Sequence, residues 1–248
     1  MKYKHFYSID ALRGIAAIIV VIFHYHHFYM ETWEGRKTDI PQSHLFPYSD
    51  IFQIIYDHGH FAVQLFWIIS GFVFMHVYNQ KNSTFFQFFI ARFARLYPLH
   101  FATLIFVAIV QLMSLYFNNH WNIYGNNDLK HFILQLLLAS NSVYISHGLS
   151  FNGPIWSVSL EISSYFLFFF TLPLIKKYKL LASTILFLLF LIIANTSSFK
   201  LPLISSGVIS CASYFFGGVS VYLLFKYSHY HARYILLSLS ILSFFFYF

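Results

Sequence analysis

Long apolar runs separated by short polar segments make up most of the chain. A helix needs about 20 mostly apolar residues to cross the hydrocarbon core of a bilayer. Runs that meet or approach this length lie at 9–29, 61–79, 97–117, 154–175, 180–195, 203–225 and 232–248. An eighth run, at 130–147, is weaker because Ser140, Asn141 and Ser142 interrupt it. The pattern predicts an all-α, polytopic transmembrane helical bundle with seven to eight spans.

The composition agrees with this pattern and excludes other classes of protein. Hydrophobic residues make up 58% of the chain and charged residues only 9%, whereas soluble domains are about 25% charged. A disordered chain is excluded because disorder requires low hydrophobicity and high net charge. No linker or internal repeat divides the sequence, so residues 1–248 are interpreted as a single integral-membrane domain.

The basic residues predict an orientation in the membrane, since cytoplasmic loops carry an excess of Lys and Arg. If the N-terminus is cytoplasmic and 130–147 does not cross, eleven of the 15 basic residues lie inside; if that run crosses, only seven do. The sequence therefore favours a cytoplasmic N-terminus and a re-entrant or interfacial 130–147. The net charge of +7 lies in short clusters between apolar runs, so the expected partner is the lipid bilayer and not a nucleic acid.

The first predicted span contains the ionisable side chains of Asp10, Arg13 and His24. Ionisable groups at membrane depth are costly and are candidate functional residues. Arg13 and His24 are eleven residues apart, so they share a helix face and lie about 16 Å apart along its axis. Asp10 precedes Arg13 by three residues and can pair with it. Two interpretations stay open: these residues carry chemistry, or Arg13 is an interfacial anchor and His24 a hydrogen-bonded residue of the bundle.

A second candidate segment begins the span at 154–175. Pro154 suits the start of a helix because the N–H it lacks would be unbonded there. Glu161 then lies about 10 Å into the helix, where a lone carboxylate needs a partner. Ser157 lies one turn earlier on the same face and can hydrogen-bond to Glu161. Trp156 is interpreted as an aromatic residue of the membrane interface.

Two shorter motifs combine polar with apolar residues. Arg92 and Arg95 lie three residues apart on an inner-surface segment and can form a forked site for phosphates. Anchoring of the bundle by positive charge on the inner side explains the same two residues. Ser70 and Gly71 let a neighbouring helix approach closely, which indicates packing more than chemistry.

A cluster of histidines at the end of the first span suggests a metal site. His24 and His27 can share a helix face, and His26 lies between them. No carboxylate or cysteine follows at ligand spacing. We therefore expect no metal ion and no bound cofactor, and interpret His26 and His27 as residues of the outer interface.

In their order along the chain, these motifs resemble the acyltransferase family 3 membrane proteins, multi-span enzymes that O-acylate, most often O-acetylate, surface polysaccharides, lipopolysaccharide and related acceptors. The motifs are Asp10-x-Leu12-Arg13-Gly14 with His24, Phe66-x-x-x-Ser70-Gly71-Phe72, Arg92-x-x-Arg95-Leu96-Tyr97-Pro98 and Pro154-x-Trp156-Ser157-x-Ser159-x-Glu161. The resemblance covers about residues 8–175. The family pattern extends further than this chain, which implies that C-terminal helices of the pattern are missing here.

The resemblance implies an activity and roles for four residues. It implies transfer of an acyl group, most often acetyl, from cytoplasmic acyl-CoA to a hydroxyl of a polysaccharide or glycolipid, in the bacterial inner membrane. The residues to which the family assigns function are Arg13, His24, Arg92 and Arg95. The three arginines would bind the phosphates of acetyl-CoA, a co-substrate. Neutral His24 would act as general base on the acceptor hydroxyl.

Other polar residues have supporting roles in this interpretation. Glu161 would orient His24 or stabilise its imidazolium, as the acid does in a serine triad. Direct transfer is favoured over an acyl-enzyme, although Ser157 and Ser159 keep that question open. A proton-coupled transporter or exporter is the alternative function, with Arg13, His24 and Glu161 as an intramembrane relay. Transporters tend to show paired broken helices in two similar halves, and the sequence shows no such symmetry.

Overall fold

The computed structural model describes residues 5–25, 46–122, 124–142, 148–196 and 204–227, which contain eight α-helices. The helices are α1 Tyr7–His24, α2 Ser49–His58, α3 Phe61–Tyr78, α4 Phe85–Asn118, α5 Leu129–Leu136, α6 Ile155–Tyr178, α7 Leu180–Asn195 and α8 Ser206–Tyr227. Five of these, α1, α3, α4, α6 and α8, are long and apolar enough to cross a membrane. The predicted all-α membrane bundle is confirmed.

The number of spans in the described residues is lower than the seven to eight predicted. The run at 180–195 forms α7, whose 16 residues fall short of the length of about 20 that a crossing needs. The run at 130–147 contains only α5, with eight residues. The run at 232–248 lies outside the described residues. Five helices of spanning length are therefore established for the part of the chain that the structure describes.

Helix α4 begins well before the predicted span at 97–117. The Thr84 hydroxyl accepts a hydrogen bond from the Gln87 backbone N–H, and the Gln87 side chain accepts one from the Thr84 N–H. This capping box starts the helix, which continues through Pro98 for 34 residues, or about 51 Å. The sequence prediction began beside Pro98 because proline usually ends or kinks a helix.

Helices α3 and α8 cross at the centre of the core, with backbones in close approach. A Cβ atom added at Gly71 of α3 would lie 1.9 Å from the Phe215 carbonyl oxygen, and one added at Gly218 of α8 would lie 1.9 Å from the Ile68 carbonyl oxygen. The Phe215 and Phe216 side chains beside this crossing are completely buried. The close approach predicted at Ser70-Gly71 is present in the structure.

The first and fourth helices run in the same direction. The Phe6 ring, beside the start of α1, packs on His76 near the end of α3 at 5.0 Å between ring centroids. Phe23, near the end of α1, lies 6.2 Å from the ring of His60, which precedes α3. Helix α1 is therefore antiparallel to α3. Tyr78 packs on Phe88, and Arg92, one turn further along α4, lies over Phe74, one turn earlier in α3, so α4 is antiparallel to α3 as well.

The segment after α4 folds back along that helix. Gln111 of α4 donates from its side chain to the Asn122 carbonyl at 2.9 Å. The His100 ring lies 2.8 Å from the Gln135 carbonyl of α5, nearer the middle of α4. Since α5 has eight residues, about 12 Å of helix, it cannot cross a bilayer. Whether the run at 130–147 is re-entrant or interfacial stays a prediction, and residues 143–147 lie outside the described residues.

Candidate functional site

Helix α1 contributes a carboxylate and a guanidinium group at one level of the bundle. Arg13 Nη1 lies 3.7 Å from Asp10 Oδ1, which confirms the expected pair at i,i+3. Asp10 Oδ2 also lies 3.1 Å from the ring of His5. Asp10 is half exposed, whereas Arg13 is 28% exposed and interacts electrostatically with Arg95 of α4 and Glu161 of α6. Arg13 therefore faces the bundle as well as its own acid.

His24 ends α1, and its ring has a defined orientation. Its Nδ1 lies 2.8 Å from the Val20 carbonyl oxygen, one turn earlier. A carbonyl only accepts hydrogen bonds, so Nδ1 carries the proton and, in the neutral ring, Nε2 carries the lone pair. The ring also packs edge-to-face on Phe23 at 5.2 Å between centroids. This arrangement gives the imidazole the tautomer that a general base acting through Nε2 requires.

Glu161 lies among residues from three other helices. The Ser70 hydroxyl of α3 and the Tyr165 hydroxyl one turn further along α6 lie near its carboxyl group and interact with it. Its charge interacts with Arg13 of α1 and Arg92 of α4. The sequence predicts that this acid has a partner. Two arginines interact with it electrostatically, and the predicted role of Glu161 in orienting His24 stays a prediction.

The two arginines of α4 have different surroundings. The Arg92 guanidinium lies over the Phe74 ring at 4.2 Å, and its Nη2 donates to the Tyr78 hydroxyl at 3.5 Å. Its Nε is buried with no hydrogen-bond partner among the described residues. Arg95 is exposed and interacts with Arg13. The predicted fork is thus divided, with one arginine held in the aromatic core and the other at the rim.

Sequence reasoning did not identify Tyr165, which completes this cluster. Its ring is 4% exposed and stacks on Phe74 at 4.4 Å between centroids. Phe74 therefore has the Tyr165 ring and the Arg92 guanidinium among its contacts. The signal available in the sequence was the spacing of four residues from Glu161, which puts a hydroxyl on the same helix face.

The remaining supporting residues stabilise the start of α6. The Ser157 hydroxyl donates to the Pro154 carbonyl at 3.2 Å, so Ser70 takes the position beside Glu161 that the sequence analysis assigned to Ser157. The Ser159 hydroxyl is buried, donates to the Trp156 carbonyl at 2.8 Å and accepts from the Asn141 N–H at 3.1 Å. Near an N-terminus these hydroxyls bond to carbonyls three residues earlier. Neither serine is activated by an adjacent base in these contacts.

Trp156 packs against aromatic residues of the bundle. Its ring lies edge-to-face on Trp67 of α3 at 5.9 Å between centroids. Its predicted place at the membrane interface stays a prediction. Within the described ranges, no three His, Cys, Asp or Glu side chains are grouped so that they could hold a metal ion. His26 and His27 lie outside the described residues.

The assembled cluster contains three arginines and two acids. Arg13 of α1 pairs with Asp10 and interacts electrostatically with Arg95 and Glu161, and Glu161 also interacts with Arg92 of α4. A model of the acyltransferase family 3 domain, described as "Acyltransferase domain", matches residues 6–248. The chain belongs to acyltransferase family 3. The match covers every residue of the cluster, and the resemblance inferred from the motifs is confirmed.

One curated relative of this acyltransferase family 3 chain is the "Protein 2 in picA locus" of Rhizobium radiobacter. The two are 35% identical over 118 residues, which cover 46% of this chain and 47% of the relative. The chain thus spans about half the length of the curated relative that it matches. No solved structure matches the chain. Family membership supports acyl transfer in a membrane, while the substrates and the role of each residue stay predictions.

Proposed function

We propose that this protein transfers an acetyl group from acetyl-CoA to a hydroxyl of a cell-surface polysaccharide or glycolipid. The observation that carries the proposal is the cluster of Arg13, Arg92 and Arg95 on two parallel helices, with a histidine of defined tautomer further along one of them. CoA carries several phosphates and a thioester on a long arm. The cationic cluster matches the phosphates, and the base about 16 Å away along α1 matches the thioester.

The donor's phosphates bind at the arginine cluster in this proposal. Arg95 and Arg13 are the accessible members, since Arg95 is exposed and Arg13 partly so. Guanidinium groups bind phosphate oxygens bidentately and remain charged at all physiological pH values. Arg92 lies beneath them with its guanidinium against Phe74, where it adds positive potential. The thioester arm then extends along the Arg13–His24 face of α1.

His24 is the base for the transfer step. Nε2 of the neutral imidazole takes the proton of the acceptor hydroxyl, and the hydroxyl oxygen attacks the carbonyl carbon of the thioester. The C–O bond of the ester forms, the C–S bond breaks, and the CoA thiolate leaves and takes the proton back from the imidazolium. Help from a general base contributes roughly 10²–10⁴-fold in rate. The Val20 carbonyl keeps Nδ1–H directed along the helix and stabilises the imidazolium.

The orientation of the protein in the membrane follows from the location of the acyl donor. Acetyl-CoA is cytoplasmic, so the start of α1 and the arginine cluster face the cytoplasm and the end of α1 faces outward. This is the orientation that the positive residues favour. A bacterial inner membrane is the proposed location, which agrees with the bacterial source of the relative. No step in this route requires a metal ion or a resident cofactor.

Membranes that contain the protein test the proposal. With acetyl-CoA labelled in its acetyl group, we expect label in the envelope glycan fraction, and we expect His24→Ala to abolish incorporation while the protein remains in the membrane. His120→Ala is the matched control because His120 is exposed beyond the end of α4. Normal turnover by His24→Ala would overturn the role of the base. No incorporation together with pH-dependent flux would replace the proposal with the transporter.

A further inference from the structure

A group of lysines lies at the end of the bundle where α3, α6 and α8 end. We call it the lysine patch, and its members are Lys81 after α3, Lys176 and Lys177 in the last turn of α6, Lys179 between α6 and α7, and Lys226 in the last turn of α8. The Phe6 ring, beside the start of α1, packs on Phe225 of α8 at 5.8 Å between centroids. The patch is therefore at the same end of the bundle as the start of α1, which is the cytoplasmic end in the proposed orientation.

The lysines of α6 are held against neighbouring residues. Lys176 Nζ donates to the Lys81 carbonyl at 3.1 Å and to Asn82 Oδ1 at 3.0 Å, so the end of α6 lies next to the segment that follows α3. Lys177 Nζ lies 4.9 Å from the centroid of the Tyr178 ring. The patch is thus continuous from the end of α3 to the end of α6.

Lys179 and Lys226 share one aromatic ring. Their Nζ atoms lie 5.2 Å and 5.3 Å from the centroid of the Tyr227 ring, within the range of about 6 Å for a cation–π contact. Two like charges beside one ring repel each other, and an anion bound beside both of them relieves that repulsion. The Tyr227 side chain is 49% exposed, so a group from outside the protein can approach this pair.

The chain supplies little negative charge near the patch. No Asp or Glu follows Glu161 in the sequence, whereas four of the five lysines do. In the part of the chain that the structure describes, none of the five lysines forms a salt bridge, and Asp10, the acid at this end of α1, pairs with His5 and Arg13. The patch therefore suits an anion that is not part of the described chain.

Apolar surface beside the patch distinguishes a lipid from a soluble anion. Leu174 lies one turn before Tyr178 and is 47% exposed, and Leu181 lies two residues after Lys179 and is 64% exposed. Acyl chains can pack on these leucines while a headgroup contacts the lysines. Tyr178 and Tyr227 are half exposed, which is typical of the aromatic residues that lie at headgroup level.

We propose that the lysine patch binds the headgroup of an anionic phospholipid, with the lipid phosphate beside Lys179 and Lys226. Clusters of Lys and Arg next to membrane-spanning helices attract anionic lipids, and each basic residue contributes about five-fold in affinity. The site does not depend on acetyl transfer. Only the leaflet depends on the proposed orientation, which makes it the cytoplasmic one.

Four variants and two lipids test the site in the full protein in an uncharged detergent. Lys179→Gln and Lys226→Gln each remove one charge, Lys226→Arg keeps the charge, and Lys130→Gln is the matched control at an exposed lysine of α5. The lipid probes are phosphatidylglycerol and phosphatidylcholine with the same acyl chains. Inorganic phosphate and adenosine 3′,5′-bisphosphate are the soluble phosphates. Binding is measured by native mass spectrometry and by the rise in unfolding temperature.

We expect phosphatidylglycerol to bind the wild type more tightly than phosphatidylcholine. Lys179→Gln and Lys226→Gln should each weaken binding of phosphatidylglycerol about five-fold, whereas Lys226→Arg and Lys130→Gln should bind it as the wild type does. At about 1 M NaCl the preference for phosphatidylglycerol should disappear, because charges are screened over about 3 Å. Any effect of the soluble phosphates should be the same in the wild type and in the two glutamine variants.

Three outcomes overturn the proposal. The first is binding of phosphatidylcholine as tight as that of phosphatidylglycerol. The second is a loss of phosphatidylglycerol binding in Lys130→Gln as large as in Lys179→Gln and Lys226→Gln, or no loss in any of them. The third is stabilisation by a soluble phosphate that the two glutamine substitutions abolish, which would make the patch a site for a soluble phosphate compound. Absence of acetyl transfer by membranes overturns the proposed function and leaves the lipid site in place.

Discussion

The crossing of α3 and α8 gives the sharpest prediction about stability. In Gly71→Ala the new Cβ would lie 1.9 Å from the Phe215 carbonyl oxygen and 2.8 Å from the carbonyl carbon. A carbon–oxygen contact settles near about 3.3 Å, so the helices must separate by about 1.4 Å. The obstruction is backbone and cannot rotate away. Overpacking of this kind costs about 1–3 kcal/mol, and we expect the upper part of that range.

Two glycines of the same protein provide controls for this substitution. A Cβ at Gly14 of α1 would meet nothing within 4 Å, and one at Gly217 of α8 would lie 3.4 Å from the edge of the Phe187 ring. Alanine in a helix gains about 0.5–1 kcal/mol over glycine, so Gly14→Ala should be neutral or stabilising. In a chain of this size, 1 kcal/mol corresponds to about 2–4 °C. Gly71→Ala should unfold at least about 5 °C below Gly14→Ala.

The measurement is thermal unfolding in detergent, followed by intrinsic fluorescence. The double variant Gly71→Ala with Gly218→Ala should lose less stability than the sum of the single variants, because one separation of the helices relieves both clashes. Unfolding of Gly71→Ala within about 1 °C of Gly14→Ala would refute the close crossing. Strict additivity of the two glycines would show that they do not share one contact.

Three further predictions concern the site and the segment that contains α5. Arg95→Ala should raise the KM for acetyl-CoA about tenfold or more through loss of a charge-assisted contact, with kcat nearly unchanged, whereas exposed Lys130→Ala should not; a fall in kcat alone would contradict this. Tyr165→Phe keeps the stack on Phe74 but removes the hydroxyl beside Glu161, so steady-state assays should show a several-fold lower kcat at similar unfolding temperature, and an unchanged kcat would exclude a contribution of that hydroxyl. Hydrogen bonds from the His131 backbone N–H and ring lower the pKa of Asp128; this stabilisation is present above the unfolded pKa of about 3.9 and is lost as pH falls through the lower folded pKa. The unfolding temperature should therefore fall more steeply below about pH 4 in the wild type than in Asp128→Asn, and parallel curves would contradict the linkage.

The sequence predicts the spanning helices well because the bilayer imposes their length and apolar character. It predicts their ends less well, since these depend on single residues. Helix α4 starts at Phe85 because Thr84 and Gln87 cap it. This short polar signal precedes the segment with Arg92 and Arg95, which the sequence suggested to be separate from the span at 97–117. Helix α2 was missed because it has only ten residues and lies in a polar segment that also contains charged residues.

The candidate site shows a similar division. Asp10 and Arg13 were paired correctly because their contact lies within one helix, at a spacing that sequence fixes. Apart from Tyr165, the residues that interact with Glu161 come from other helices, so the sequence suggested Ser157 where the structure has Ser70. The separation of Arg92 from Arg95 depends on Phe74 and Tyr78 of α3. Contacts between helices are set by crossing geometry, which hydropathy does not encode.

The position of α1 links the two ends of the proposed reaction. Most of this helix faces away from the bundle: Ile15, Ile18 and Val21 are 56–70% exposed, and Ala16 is its one fully buried residue within the described range. Few apolar contacts therefore hold α1 in place, and the electrostatic interaction of Arg13 with Glu161 helps to hold the helix against the bundle. His24 moves with the same helix. In the proposed reaction, Arg13 thus contributes directly to donor binding and indirectly to the position of His24. Loss of Arg13 should therefore impair both donor binding and the transfer step, whereas loss of Arg95 should impair donor binding alone.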